Sequence, residues 1–373
     1  MSMISVEILK KNIPFFDTLK NIEKEYNAKI YIVGGCLRDI CLNIPVHDID
    51  ITAENIEYTK LAKILGKYLK SYAVAFKDNM RIMKNNIIID VSKLRSSTIY
   101  EDVLMRDFTI NNLACSTNGE IIGRLDDIKN GIIKAVYNNA FDDDPLRIIR
   151  AVRFTAMLGF NIEKDTLQLA LSKKNLLKNT AKERVLEEFR KMFQGRFLNK
   201  AVNIITEYNI LSPLVDKSKL DNEKLFRAVN LTDNFDLLLS IWCKDKKFIE
   251  YLGLTLKEQK NISAYFNIGY EDLKQSDDKA LKYFIFKNIT LIKNIIIYIK
   301  INFQDENLAE KLNSLYSSMD FNKAKAVNGS MLLSLGFKPS PLFSEIINET
   351  AFLLAINELN QDNIEEYIKN RWC

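Results

Sequence analysis

The segment Val33-Gly34-Gly35-Cys36-Leu37-Arg38-Asp39 ends a β-type run in two glycines and then opens a helical stretch. Paired glycines let a backbone approach a ligand, and the first turn of a helix offers free N–H groups to phosphate. Arg38, one turn in, can pair with a phosphate oxygen. Ordinary strand–turn–helix units read the same way. The next candidate is His47-Asp48-Ile49-Asp50-Ile51. On a strand, Asp48 and Asp50 share one face while Ile49 and Ile51 turn to the core. Two carboxylates held together repel unless a cation lies between them. Mg²⁺ favours one or two carboxylates with phosphate oxygens and water, the layout for nucleotidyl transfer. A solvated strand edge would carry the same pattern. Asp90, after Ile87-Ile88-Ile89, is expected as a third catalytic acid beside this pair.

Short elements must position these groups. Lys29–Val33 reads as a strand, Cys36–Asn43 as a short helix, Ile49–Ile51 as a strand and Asn55–Lys70 as a helix. Tyr72–Phe76, Met80–Lys84 and Asn86–Val91 read as successive strands, with turns at Lys77-Asp78 and Asn85-Asn86. Beyond residue 140 nearly every segment is helical. Asp142 and Asp143 can cap a helix whose first turn takes Pro145 and whose apolar face holds Leu146, Ile149, Val152 and Met157; Gly159 suits its end. Further helices are expected at about Ala181–Phe193 and Asn199–Tyr208. The expected fold is α+β: a small head with a mixed β-sheet, followed by an elongated all-helical remainder.

Taken together, the motifs bring a resemblance. GGCLRD followed by DID resembles the head of class II template-independent nucleotidyltransferases, the family of CC- and CCA-adding tRNA nucleotidyltransferases and bacterial poly(A) polymerases. Met105-Arg106-Asp107-Phe108-Thr109-Ile110-Asn111 is similar to the family's second motif, and Leu125-Asp126-Asp127-Ile128, before a strand-like Ile132–Val136, to a shortened third. Asp143-Asp144-Pro145-Leu146-Arg147 and its continuation resemble the fourth, and Glu183-Arg184 with Glu187-Glu188 the fifth. The resemblance implies a nucleotidyltransferase head over 1–138, a helical neck for nucleobase recognition over 139–197, and a tRNA-binding body and tail over 198–373. It implies that Asp48 and Asp50 bind Mg²⁺, that Gly34, Gly35 and Arg38 meet the triphosphate, and that Arg106, Asp107 and Asn111 contact phosphates and ribose. Asp143, Asp144, Arg147, Arg150 and Arg153 complete the expected nucleotide site.

In that motif Asp144 and Arg147 stand three apart, so they are expected on one helix face. A carboxylate accepts from the exocyclic amine of cytosine or adenine, and a guanidinium donates to a ring acceptor. Uracil and guanine place a carbonyl where the amine would be. Three residues depart from the family pattern. Asp143 stands for the usual Glu, Met105 for the first Arg of RRD, and Asn112 for a small residue. Asp143, one methylene shorter, is expected to orient Arg147 less firmly or differently. Only ten residues, SSTIYEDVLM, separate Arg95 from Arg106. CCA-adding members carry a longer flexible segment there, and CC-adding members a shortened one. The expected activity is therefore CMP transfer from CTP to the tRNA 3′ end, stopping at CC, with a separate A-adding enzyme in the same cell. Full CCA addition with CTP and ATP is the alternative, ahead of a poly(A) polymerase or an inactive RNA-binding protein.

Composition narrows the rest. The chain has 373 residues, with 53 Lys+Arg against 48 Asp+Glu and a net charge of +5. That mild excess is compatible with nucleic acid without selecting it. A single histidine, His47, excludes zinc fingers with two histidines, HExxH proteases and His-Asp phosphohydrolase centres. Cys36, Cys41, Cys115, Cys243 and Cys373 form no CxxC, which predicts reduced thiols and a cytoplasmic protein without a targeting segment. The apolar stretch Leu281 to Phe303 carries four lysines and is expected as a buried helix pair, not a membrane span. Val327-Asn328-Gly329 and Leu335-Gly336-Phe337-Lys338-Pro339 resemble the tail of bacterial members.

Overall fold

A computed structural model describes residues 3–76 and 78–372, so Lys77 of the expected turn and the thiol of Cys373 lie outside the described residues. The chain divides into two compact units, residues up to 217 with 251–253, and 218–250 with 254 onward. In the first unit, β1 (Lys29–Val33), β2 (Asp48–Glu54), β3 (Ala73–Phe76), β4 (Asn79–Lys84), β5 (Ile87–Ser92), β6 (Leu113–Ser116) and β7 (Ile121–Gly123) form one sheet in the order β3-β4-β5-β2-β1-β6-β7. The β2–β5 pair is parallel and the others are antiparallel, which makes the sheet mixed. Its strands carry the expected β-branched residues, and Ile30, Ile32, Ile49, Ile51, Ile89 and Val91 are all buried.

Helices α1 (Val6–Asn12), α2 (Phe16–Tyr26), α3 (Gly35–Cys41), α4 (Tyr58–Tyr68) and α5 (Ile99–Leu104) surround the sheet. The expected helix from Asn55 begins later because Asn55 has φ 65°, which no α-helix accommodates. The short α6 (Asp126–Lys129) holds the third motif, and its Ile128 is buried. The strand expected over Ile132–Val136 shrinks to β8 (Ile132–Ile133), paired in parallel with β9 (Asn161–Ile162).

The fourth motif folds differently from its sequence expectation. Asp142 and Asp143 belong to a separate turn of helix, α7 (Ala140–Asp143), and do not cap the longer helix beyond it. Asp144 is extended at φ −148° and ψ 97°, as a residue before proline prefers. That longer helix, α8 (Arg147–Leu158), starts only after Pro145 and ends at Gly159, whose φ of 74° suits glycine. It is Asp144 Oδ1 that accepts the Leu146 N–H, at 3.2 Å. After α9 (Lys164–Lys173), helices α10 (Lys182–Phe193) and α11 (Leu198–Glu207) pack on α8. The first unit thus runs past residue 197, because α11 belongs to the same core as the expected neck.

The second unit is helical. The expected pair is present as Asp278–Lys287 and Ile292–Asn302, with Leu281, Ile285, Ile295 and Ile299 inside. Asn328 caps the helix Gly329–Ser334 by accepting from Met331 N–H at 3.1 Å, and Leu332 of that helix joins a core of Val327, Ile346, Leu354, Ile364 and Ile368. Among the described residues no helix is long and apolar enough to cross a membrane. Cys36, Cys115 and Cys243 are free and buried, and Cys41 is free and half-buried.

Gly195 tests the α8 packing. A Cβ there would lie 2.6 Å from the backbone carbonyl carbon and oxygen of Ala156, a collision that no side-chain rotation relieves. Gly195→Ala is expected to destabilise the protein by about 1–3 kcal/mol, read as an earlier transition in thermal unfolding.

Candidate active site

A cavity of about 510 Å³ opens in the first unit, and the sheet, α3 and α8 all contribute to its wall. Gly34 sits at φ 78° between β1 and α3, and its N–H donates to Leu113 O at 2.9 Å. A Cβ on Gly34 would crowd Arg106 Nη1 at 3.0 Å and touch Asp50 Oδ2 at an ordinary 3.6 Å; the positive φ is what favours glycine here. Gly35 opens α3 with Arg38 folded over it.

Asp48 and Asp50 stand on one face of β2, as the alternation predicts, with Ile49 and Ile51 buried behind them. Neither carboxylate is hydrogen-bonded or ion-paired among the described residues. Asp48 is exposed and Asp50 half-buried. The parallel register sets Asp50 opposite Asp90 of β5. Burial, then the neighbouring Asp90, pushes the Asp50 carboxyl up to about 6, with Arg106 opposing and Asp48 adding to the rise. An unpaired, charge-crowded carboxylate pair facing a cavity fits a divalent cation. Asp90 differs from its expectation. Both of its oxygens are taken by Arg81, at 2.8 and 2.7 Å, and it is not part of the cavity wall. The guanidinium of Arg81 stacks over Phe76 at 3.7 Å.

Seven arginines line the cavity, Arg38, Arg95, Arg106, Arg147, Arg150, Arg153 and Arg184, against five aspartates, Asp39, Asp48, Asp50, Asp107 and Asp144. The surplus is positive, as a polyanion requires. Most of these arginines are fixed. Arg38 donates to Asp39 at 2.9 Å and to Asn111 Oδ1 at 2.6 Å. The amide of Asn111 donates to Asp107 Oδ1 at 3.2 Å, and Arg150 lies 2.6 Å from Asp107 Oδ2. Burial alone would raise the Asp107 carboxyl, but Arg150, Asn111 and the Phe108 N–H outweigh it and hold it below the ordinary range. Arg153 pairs with the buried Glu188 of the fifth motif at 2.6 Å and stacks on Phe154.

Asp144 and Arg147 both reach the cavity but do not pair with each other. With Asp144 held extended before Pro145, its Oδ2 accepts from Arg184 at 2.7 Å instead. Arg147 donates to the Tyr137 hydroxyl at 2.7 Å and to Ala140 O at 3.2 Å. Asp143 is exposed, lies off the cavity wall, and accepts from that same hydroxyl at 2.7 Å. The third motif is also absent from the wall.

The sequence reading missed Asp102, Tyr137, Arg95 and the pairing role of Arg184. Asp102 is 2% exposed in α5. It accepts two hydrogen bonds from Arg106, at 3.1 and 2.8 Å, and one from the Arg95 N–H at 2.8 Å. Its spacing of four residues from Arg106 was the available signal. The Arg95 guanidinium pairs with no carboxylate among the described residues. Burial, then the neighbouring Arg106, lowers its affinity for a proton.

Comparison with known proteins bears on this geometry. Residues 30–134 match the family described as Poly A polymerase head domain, and residues 159–218 match the probable RNA and SrmB-binding site of polymerase A. These matches make the chain similar to the class II tRNA nucleotidyltransferase and poly(A) polymerase family. The chain is 26% identical to the CCA-adding enzyme of Streptococcus gordonii, over 96% of this chain and 98% of the relative. It is 28% identical to that of Streptococcus sanguinis, over 90% and 92%. The fold matches the Thermotoga maritima CCA-adding enzyme complexed with tRNA, with a TM-score of 0.72 at 22% identity and 99% coverage of both chains. A CCA-adding enzyme solved with ATP gives a TM-score of 0.75 at 22% identity, also over 99% of both chains. The positions of the resembled motifs account for the cavity lining from Gly34 to Arg184, apart from Arg95.

The charge arrangement has two measurable consequences. Because the Asp50 carboxyl is raised in the folded state, the native protein binds the extra proton more tightly than the unfolded chain. Metal-free stability therefore falls as pH rises from about 4 to about 6. Asp50→Asn removes that cost, and is expected to raise the metal-free unfolding temperature at pH 7.5 but not at pH 4. Asp102→Asn keeps an acceptor yet leaves Arg106 without its counter-charge. It is expected to weaken nucleoside triphosphate binding about tenfold, measured by calorimetry.

Proposed function

We propose that this protein is a template-independent tRNA nucleotidyltransferase that transfers CMP from CTP to the tRNA 3′ end, adds CC and releases pyrophosphate. The observation that carries the reaction class is the unpaired Asp48/Asp50 pair facing an arginine-lined cavity. These two aspartates would hold Mg²⁺. When bound, the metal lowers the pKa of the attacking 3′-hydroxyl and offsets the charge of the triphosphate. Arg38, Arg95 and Arg106 bind and orient that triphosphate, and Gly34 and Gly35 leave it space. Asn111 and Asp107 fix Arg38 and Arg150 in place and present polar atoms toward the ribose. Asp90, held through both oxygens by Arg81, faces Asp50 from the neighbouring strand and raises its carboxyl.

Base choice falls to Asp144 and Arg147. Each oxygen of Asp144 already accepts one hydrogen bond, from Leu146 N–H or Arg184, and keeps a lone pair for an exocyclic amine. Arg147 donates to the ring acceptor. Arg150 and Arg153, braced by Asp107 and Glu188, wall the pocket. Head (1–138), neck (139–197), and body with tail (198–373) then divide catalysis, base recognition and tRNA binding.

Stopping at CC is supported by the segment 96–105. It is short and folded: Ile99 and Val103 pack into a buried cluster with Tyr31, Val33 and Ala114, while Asp102 is tied to Arg106. A segment so anchored is not a free lever for a change of base. A separate A-adding enzyme would complete the end in the same cytoplasm, where the free cysteines would stay reduced. The second reading is full CCA addition, favoured by relatives named CCA-adding enzyme and by a fold match to one solved with ATP.

The test is incorporation into a tRNA lacking its CCA end, with CTP and ATP supplied separately and together, read at single-nucleotide resolution. Arrest after two C residues with both nucleotides present is expected. Extension to CCA would replace the CC reading by the second one. Asp48→Ala or Asp50→Ala is expected to abolish incorporation while tRNA binding persists. A retained rate would overturn the metal assignment.

A further inference from the structure

We propose that Tyr137 is a specificity-determining positioning residue, whose hydroxyl couples Asp143 to Arg147 and sets the reach of the guanidinium that reads the incoming base. The proposal rests on the reading of Asp144 and Arg147 as the base-recognition pair. Tyr137 lies between β8 and α7, in none of the motifs that carry the family resemblance. Its hydroxyl donates to Asp143 Oδ2 and accepts from Arg147 Nη1, both at 2.7 Å. A hydroxyl is suited to this place because it is donor and acceptor at once. The shorter Asp143, exposed and off the cavity wall, acts on Arg147 through this oxygen. The two bonds polarise one another, so a phenol that donates to a carboxylate is a better acceptor for the guanidinium.

Three segments hold the same guanidinium. Besides Tyr137, Nη1 donates to Ala140 O at 3.2 Å and Nη2 to Met105 O at 3.5 Å. The guanidinium carbon also lies 5.5 Å from the Tyr137 ring centroid. Cytosine attaches its recognised ring directly to the ribose, whereas adenine sets its six-membered ring further out, beyond the fused imidazole. With ribose and triphosphate fixed, the ring acceptors of the two bases lie at different depths. An arginine tethered on three sides serves one depth. Releasing the tyrosine tether lets it follow the other.

Tyr137→Phe removes the hydroxyl and keeps the ring. The readout is the ratio of kcat/KM for CTP to that for ATP on tRNA lacking its CCA end, together with KM and kcat separately. The expected result is a ratio lowered about tenfold, from a raised KM for CTP and faster AMP misincorporation, with tRNA binding and unfolding temperature unchanged. Asp143→Asn, which weakens the same chain without touching the ring, is expected to shift the ratio in the same direction by less, and serves if the first variant folds poorly. An unchanged ratio in both variants overturns the proposal. Arg147→Ala is measured in parallel. If it loses discrimination while Tyr137→Phe does not, only the role of Tyr137 falls. If Arg147→Ala keeps wild-type discrimination, the base-recognition reading falls and the role of Tyr137 falls with it.

Discussion

The parallel pairing of β2 with β5 sets Asp50 beside Asp90, with Asp48 two residues along the same face. Three carboxylates gathered in one region of a sheet repel, and in a half-buried setting the repulsion is weakly screened. The surrounding structure is organised by that cost. Arg81 neutralises Asp90 through both oxygens. Arg106 and Asp50 both reach Gly34, whose missing Cβ leaves the guanidinium uncrowded. Asp48 and Asp50 keep their charge exposed to the cavity, and the cavity answers with arginines. The site is thus held in a state that a cation and a polyphosphate together would complete.

Each arginine that faces the cavity brings a second problem, because a buried guanidinium needs its own counter-charge. The solution is an alternating lattice. Asp102 holds Arg106, Asp39 and Asn111 hold Arg38, Asp107 holds Arg150, and Glu188 holds Arg153. Through Asn111 and Asp107 the lattice runs from α3 on the sheet to α8 without interruption. Arg38 of α3 and Arg150 of α8 therefore share one hydrogen-bonded framework inside the first unit, and displacement of one member is felt by the next. Restricting both ends of each long side chain lowers the entropy lost when substrate binds.

Much of this was legible in the chain itself. The i, i+2 spacing of Asp48 and Asp50, the isoleucines between them, the glycine pair after β1 and the Gly159 stop are local patterns. Local backbone geometry translates them directly into faces, turns and ends. Four of the five ordered motifs likewise fall on the cavity lining between Gly34 and Arg184. The errors fell where a local rule met a competing one. Asp144 and Arg147 have helical spacing, but Pro145 forces Asp144 out of the helix and turns its carboxylate to Arg184, forty residues on.

The sequence by itself determined which residues carry charge, which strand presents the paired acids and where the helices stop, because those features depend on neighbours a few residues away. Only the tertiary structure decided which acid serves which arginine. Asp90 became the partner of Arg81, Asp102 the anchor of Arg106, and Tyr137 the bridge from Asp143 to Arg147. Those choices depend on strand register, on the fold of the short 96–105 segment and on the approach of α8. Ion pairing is fixed by distance in space and burial, and spacing along the chain signals it only within a turn, as for Asp102 and Arg106.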